Sequence, residues 1–210
     1  MKAFLVANPK GGSGKSTLAT NLAGYFASRR HDVMLGDVDP QQSCREWLSL
    51  RPFELPGIDT WETGRDKVAR PPRGTTHVVL DTPAGLSGKL LERVLKLSTR
   101  IIVPVQPSLF DMLATRRFLE VLLGEKAVRK GRADVAVVGM RVDARTRAAA
   151  ELERFFAGFE LPVLAYLRDT QVYVQAAAAG LSIFDLPPSR AERDLEQWQA
   201  IIDWAEAGGP

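Results

Sequence analysis

A single cysteine, Cys44, occurs among the 210 residues. A lone thiol forms no internal disulfide and builds no metal site by itself, so this scarcity excludes a disulfide scaffold and fits a reducing cytoplasm. Cys44 is expected to be a buried or incidental thiol. No apolar run approaches the roughly 20 residues of a membrane span. Only Met1 and Lys2 precede the first apolar stretch, which leaves no room for a signal peptide. The expectation is a soluble, cytoplasmic protein. Charge of one sign is also lacking: 28 Lys+Arg against 25 Asp+Glu give a formal net charge of +3. That balance, with a pI near 9.2, argues for a local basic face rather than a basic protein. Repeats and low-complexity tracts are absent. With 45% hydrophobic residues the chain can bury a full core. It is expected to be one domain over residues 1–210, with no N-terminal helix-turn-helix extension.

What is present is concentrated in Asn8-Pro9-Lys10-Gly11-Gly12-Ser13-Gly14-Lys15-Ser16-Thr17, directly after the apolar run Ala3–Ala7. Glycines after a strand let backbone N–H groups point inward at an anion, and the next helix adds the positive end of its dipole. Gly11, Gly12, Ser13 and Gly14 would form the cradle. Lys15 would reach the β- and γ-phosphates, Ser16 would ligate magnesium and Thr17 would add a donor. The strict pattern G-x-x-x-x-G-K-[ST] is not met, because Pro9 stands where its first glycine belongs.

The alternation of short apolar runs with helical periodicity implies an α/β fold, a doubly wound, mostly parallel sheet with helices on both faces. Strands are expected at 33–36, 77–80, 100–105, 135–140 and 163–167. Helices are expected at 18–29, from Pro40 through Trp47 and Leu48, at 86–97, 111–123, up to Phe156, at 172–179 and at 191–207. The first helix is expected to be amphipathic and His31 to lie on the surface. Residues 51–73 read as a variable surface segment with one short strand candidate at 58–61. Met112, Leu113, Phe118, Leu119 and Leu122 are expected to face the core. Two aspartates, Asp37 and Asp39, stand at the end of the second strand, where open α/β sheets bind ligands. A solvated loop pair is the plainer alternative. Asp81 closes another apolar strand.

The spacing Lys-Gly-Gly-x-Gly-Lys-Ser, with a second lysine at Lys10, resembles the deviant Walker A motif of the ParA/MinD superfamily of dimeric ATPases, and short ParA-like partition ATPases above all. Asp37-Val38-Asp39-Pro40-Gln41 resembles switch I, Asp81 the Walker B aspartate and Thr82-Pro83-Ala84-Gly85 switch II, with Ala84 where a second proline is usual. Pro104–Asp111 and Asp143-Ala144-Arg145-Thr146 carry the likeness further along the chain. The resemblance implies a magnesium-dependent ATPase, slow without a partner. Catalysis would rest on Lys10, Lys15 and Asp39, the last orienting water. Ser16, Asp37 and Asp81 would serve the metal, and Thr82, Pro83 and Ala84 would sense the γ-phosphate. It implies a homodimer with ATP in which Lys10 crosses the interface, non-specific DNA binding on the nucleoid, and a ParB-like or cargo-adaptor protein that stimulates hydrolysis. DNA candidates are Arg190, Arg193, Arg129, Lys130 and Arg147. Arg190 matches a DNA-contacting position by resemblance, and the arginine expected near Gly158 and Phe159 is missing. Two alternatives stay open, a MinD-like membrane-associated ATPase and an ATP-dependent small-molecule synthase. The carboxyl-terminal helix carries acids and no lysine or arginine between Asp194 and Glu206, which disfavours a lipid anchor. The guanine-reading Asn-Lys-x-Asp sequence is absent, so ATP fits better than GTP. Arg141, Asp143, Arg168 and Asp169 sit at strand ends, where they either touch a base or form surface salt bridges.

Overall fold

Lys2–Val6 forms the first strand, β1, of the computed structural model, which describes residues 1–64 and 68–207. Ala3 and Leu5 enter one face of the sheet and Phe4 and Val6 the other, all fully buried. This is how a parallel strand covered on both sides reads. The chain continues through α1 (Lys15–Ser28), β2 (Val33–Asp37), α2 (Ser43–Leu50), β3 (His77–Asp81), α3 (Gly88–Leu97), β4 (Arg100–Val105) and α4 (Leu109–Gly124). Next come α5 (Lys126–Arg129), β5 (Asp134–Gly139), α6 (Arg147–Ala157), β6 (Val163–Tyr166), α7 (Gln171–Ala178), a 3-10 turn at Ile183–Asp185 and α8 (Pro188–Glu206).

The strand order is β2-β3-β1-β4-β5-β6 and every pairing is parallel. Helices α3 to α6 pack on the face of Ala3 and Leu5, and α1, α2, α7 and α8 on the face of Phe4 and Val6. From β1 the chain moves toward β2 and β3, and from β4 toward β5 and β6. The topological switch point therefore lies between β1 and β4, at their carboxyl ends.

Several expectations are corrected by packing. Helix α2 begins at Ser43 rather than Pro40, because Asp39 Oδ1 accepts from Gln41 N, Gln42 N donates to Asp39 O, and Gln42 is left-handed with φ 53. These bonds close a turn where a helix would otherwise start. The strand candidate at 58–61 makes a single parallel bridge, Met34 to Asp59, along the edge of β2. There the Trp61 indole packs so close to Gly36 that a Cβ on Gly36 would meet it at 2.6 Å. Helix α1 is buried nearly all round rather than amphipathic, since the 3-10 turn docks on its outer side and Ile183 N donates to Asn21 Oδ1 at 2.8 Å. Lys126–Arg129, ahead of β5, forms the short helix α5. Leu113 is 48% exposed, whereas Met112, Phe118, Leu119 and Leu122 are buried as expected.

His31 is half-buried, because it stacks 4.1 Å from His77. The buried His77 also stacks 4.3 Å from Phe26, and its Nε2 has no partner among the described residues. Burial, with the charges of His31 and Lys2 nearby, holds the His77 pKa down to about 4. The unfolded chain thus binds a proton that the fold refuses between about pH 6.5 and 4. The stability this gives is complete above that window and lost as the pH falls through it. Urea titrations at pH 7 and pH 4.5 should show wild type losing on the order of 2 kcal/mol more than His77→Gln. Equal losses would show that the pair carries no proton linkage.

Candidate functional site

Between β1 and α1 the backbone turns at Gly12 (φ 75) and Gly14 (φ 94). Gly14 caps α1 without any side-chain bond, so the first N–H groups of the helix stay open to an anion. A Cβ on Gly14 would also lie 2.7 Å from Met140 Cε, at the end of β5. Asn8 pins the loop. Its buried side chain donates to Pro104 O at 2.7 Å and Thr115 Oγ1 at 2.9 Å, and accepts from Lys10 N at 2.8 Å. Gln106 Nε2 donates to Gly12 O from the carboxyl end of β4. The loop is thus held against the switch point of the sheet.

Lys15 is buried, and its ammonium donates to Lys10 O at 2.7 Å. Burial lowers its pKa, while the charges of Asp81 and Asp39 oppose that shift. The Lys10 ammonium forms no ion pair or hydrogen bond among the described residues. Ser13 is buried, Gly11 and Gly12 are exposed, and Ser16 and Thr17 are half-buried at the opening of α1.

Two strand ends converge beside Ser16. The Ser16 hydroxyl donates to Asp81 Oδ2 at 2.6 Å, from the end of β3. Asp37, at the end of the adjoining β2, accepts from Asp39 N at 2.9 Å and from Cys44 N at 2.8 Å. Cys44 is fully buried as expected, yet its Sγ lies 3.2 Å from Asp81 Oδ2. Asp37, Cys44 and Asp81 offer ligand atoms within 4.8 Å of one another. Burial raises the Asp81 pKa to about 6, against the lowering by its bond from Ser16, and raises Asp37 as well. Two buried carboxylates beside a hydroxyl form an oxygen-donor set that fits a divalent cation, whose charge would offset that desolvation. Asp39 is half-buried at the rim.

The segment after Asp81 is tied back to the loop. Thr82 Oγ1 donates to Val6 O at 2.8 Å and Gly85 N to Pro9 O at 2.9 Å, so Thr82, Pro83 and Ala84 span the gap between the two. Of the strand-end residues considered for base contact, Arg168 is bound bidentately by Asp194, at 2.8 and 2.9 Å, and Asp143 pairs with Arg145 at 2.9 Å. Both pairs are salt bridges.

The basic candidates fall into two groups at opposite ends of the sheet. Arg190 and Arg193 are exposed on the first turns of α8, just before the Asp194 that holds Arg168 past the end of β6. Arg147 opens α6 at the same carboxyl end. Arg129 and Lys130 are exposed at the amino end, on the chain that enters β5. The signal that separates them stood in the sequence, since in a parallel sheet Arg129 and Lys130 precede the fifth strand and Arg147 follows it. The roles of Asn8, Gln106 and Cys44 were also missed. A buried amide after an apolar strand was the available signal for Asn8.

A family model described as the CobQ/CobB/MinD/ParA nucleotide binding domain matches residues 4–183. A protein from Gloeobacter kilaueensis named for maintenance of carboxysome distribution is 31% identical over 203 residues, covering 94% of this chain and 91% of that protein. A protein of the same name from Halothiobacillus neapolitanus is 28% identical over 195 residues, covering 88% of each. Among solved structures, the ATP complex of a McdA variant from Cyanothece superposes with a TM-score of 0.75 at 16% identity, covering 98% of this chain and 96% of that one.

Proposed function

Because this chain belongs to the CobQ/CobB/MinD/ParA nucleotide-binding domain family, we propose that it is a ParA-like, magnesium-dependent ATPase that positions cargo through an ATP-dependent dimer. The observation that carries this reading is the meeting of Ser16 and Asp81 at 2.6 Å, with Asp37 and Asp39 beside them and a lysine on each side of the glycines. Phosphoryl transfer needs positioning and charge stabilisation more than covalent chemistry, and these groups supply both. The open N–H groups of α1 and the Lys15 ammonium bind the phosphates. Ser16, Asp37 and Asp81 hold magnesium, which would neutralise charge on the phosphate oxygens. Asp39, at the rim, orients the attacking water. Lys10 reaches toward the nucleotide of the second subunit. Leu109, Phe110 and Leu113 support that dimer, since they are 61%, 74% and 48% exposed on the first turns of α4, immediately past the Gln106 that holds Gly12.

The full-length similarity to carboxysome-distribution proteins favours a protein assembly as the cargo. A cargo-bound, ParB-like partner would stimulate hydrolysis and release the dimer from the nucleoid. A MinD-like membrane anchor is disfavoured because α8 buries Trp198, Ile201 and Ala205 and carries no cation after Arg193. Among the described residues no helix is long and apolar enough to cross a membrane. A synthase would need a metabolite and ignore DNA.

DNA retention tests the reading. Phosphate contacts should make binding ATP-dependent, indifferent to sequence and steeply weakened by salt. With Arg190→Glu and Arg193→Glu combined, DNA affinity in low salt should drop about tenfold or more, since each reversal replaces an attraction with a repulsion. Acids are favourable in the first turns of a helix, so α8 should stay folded. At about 0.15 M salt, where exposed charges more than about 8 Å apart are largely screened, Arg129→Glu with Lys130→Glu at the far end of the sheet should cost much less than the Arg190 and Arg193 pair. Flotation of the ATP-bound protein with anionic liposomes, together with no DNA retention, would move the reading to the membrane.

A further inference from the structure

We propose that Cys44 turns the carboxylate cluster into a site for a thiophilic divalent cation, zinc or cadmium, held by Cys44 Sγ with carboxylate oxygens of Asp37 and Asp81. Ser16 Oγ and Cys44 Sγ both donate to Asp81 Oδ2, at 2.6 and 3.2 Å, so sulfur and hydroxyl flank one oxygen. Asp37 Oδ2 in turn accepts the backbone N–H of Cys44 at 2.8 Å, which fixes the first turn of α2 and the thiol with it. With metal–sulfur and metal–oxygen bonds of about 2.3 and 2.1 Å, two ligands of a tetrahedral site stand about 3.6 Å apart. The sulfur and carboxylate atoms here, one pair at 3.2 Å and all within 4.8 Å, need only small rotations to reach it.

Magnesium prefers oxygen ligands and leaves the sulfur aside, whereas zinc and cadmium accept sulfur readily. The inference therefore shares Asp37 and Asp81 with the magnesium reading above and adds the sulfur. On binding, the S–H proton passes to solvent as the metal–sulfur bond forms, with no change in oxidation state. The soft cation would compete directly with magnesium.

The test is a cadmium titration of the full, nucleotide-free chain, followed by sulfur-to-cadmium charge-transfer absorbance. Cys44 is the sole cysteine, so any such band belongs to it. Wild type should give a saturable band at one cadmium per chain, with about one proton released. Excess magnesium with ADP should diminish it. Cys44→Ser should abolish the band yet keep magnesium–ADP binding, with Cys44→Ala as the substitute if the serine variant does not fold. Asp37→Asn and Asp81→Asn should each weaken cadmium about tenfold or more. No saturable band in wild type, or unchanged cadmium affinity in both aspartate variants, would overturn the inference. Cadmium loss with intact magnesium–ADP binding in the aspartate variants would uphold it and sink only the magnesium assignment.

Discussion

Lys15→Ala should lose ATP binding on the order of 100-fold, while Lys10→Ala keeps it to within a few-fold and loses the ATP-dependent dimer and most turnover. The two lysines flank the same glycines but face different charges. The Lys15 ammonium sits buried beside the opening of α1, held by Lys10 O, where the charges of Asp81 and Asp39 act on it. Removing it leaves the phosphates without their internal cation. Lys10 contributes its carbonyl to Lys15 and its amide to Asn8, and both contacts survive truncation of its side chain. Its ammonium is engaged by nothing among the described residues, which suits a group reserved for a second subunit. Because burial already disfavours the charged form of Lys15, nucleotide-free Lys15→Ala should melt at or above the wild-type temperature, and only the ATP-induced rise should vanish. Calorimetry gives the affinities and sedimentation the dimer. A normal ATP dimer in Lys10→Ala would remove that lysine from the interface.

Asp39→Ala should slow hydrolysis about 100-fold or more, the usual cost of losing a group that positions or activates a nucleophile. It should still bind ATP and magnesium and accumulate as a dimer. What the carboxylate does structurally is small: it accepts one N–H, from the exposed Gln41. The Asp39 backbone N–H, which orders Asp37, is kept in the alanine variant. Asp81→Ala behaves differently, since it removes the acceptor of both Ser16 and Cys44 and should weaken magnesium-dependent binding itself. Single-turnover hydrolysis in Asp39→Ala at the wild-type rate would place the water-positioning group elsewhere.

The contrast between these residues also shows how far sequence reasoning reaches. The placement of the glycine-rich loop at 10–17 and of the carboxylates at 37, 39 and 81 was legible because each comes within a few residues of the end of an apolar run, and a strand delivers whatever follows it to one end of the sheet. The same locality explains the misses. The expected strand at 58–61 has suitable residues, yet one bridge to Met34 is all it makes, because the Asp37 N–H and C=O further along that edge are bonded by the Thr63 hydroxyl instead. Leu113 has the right helical spacing for the core, but its side of α4 is only partly covered among the described residues, which leaves it 48% exposed.

By itself, then, the sequence determined the alternating α/β order and the places of the glycine-rich loop and the strand-end acids, since all of these follow from patterns of a few residues along one chain. Only the tertiary structure decided that Cys44 stands against Asp81, 37 residues away, and that the His31 ring lies 4.1 Å from that of His77. Those outcomes depend on which elements pack against one another, and burial in the shared core is what selects them.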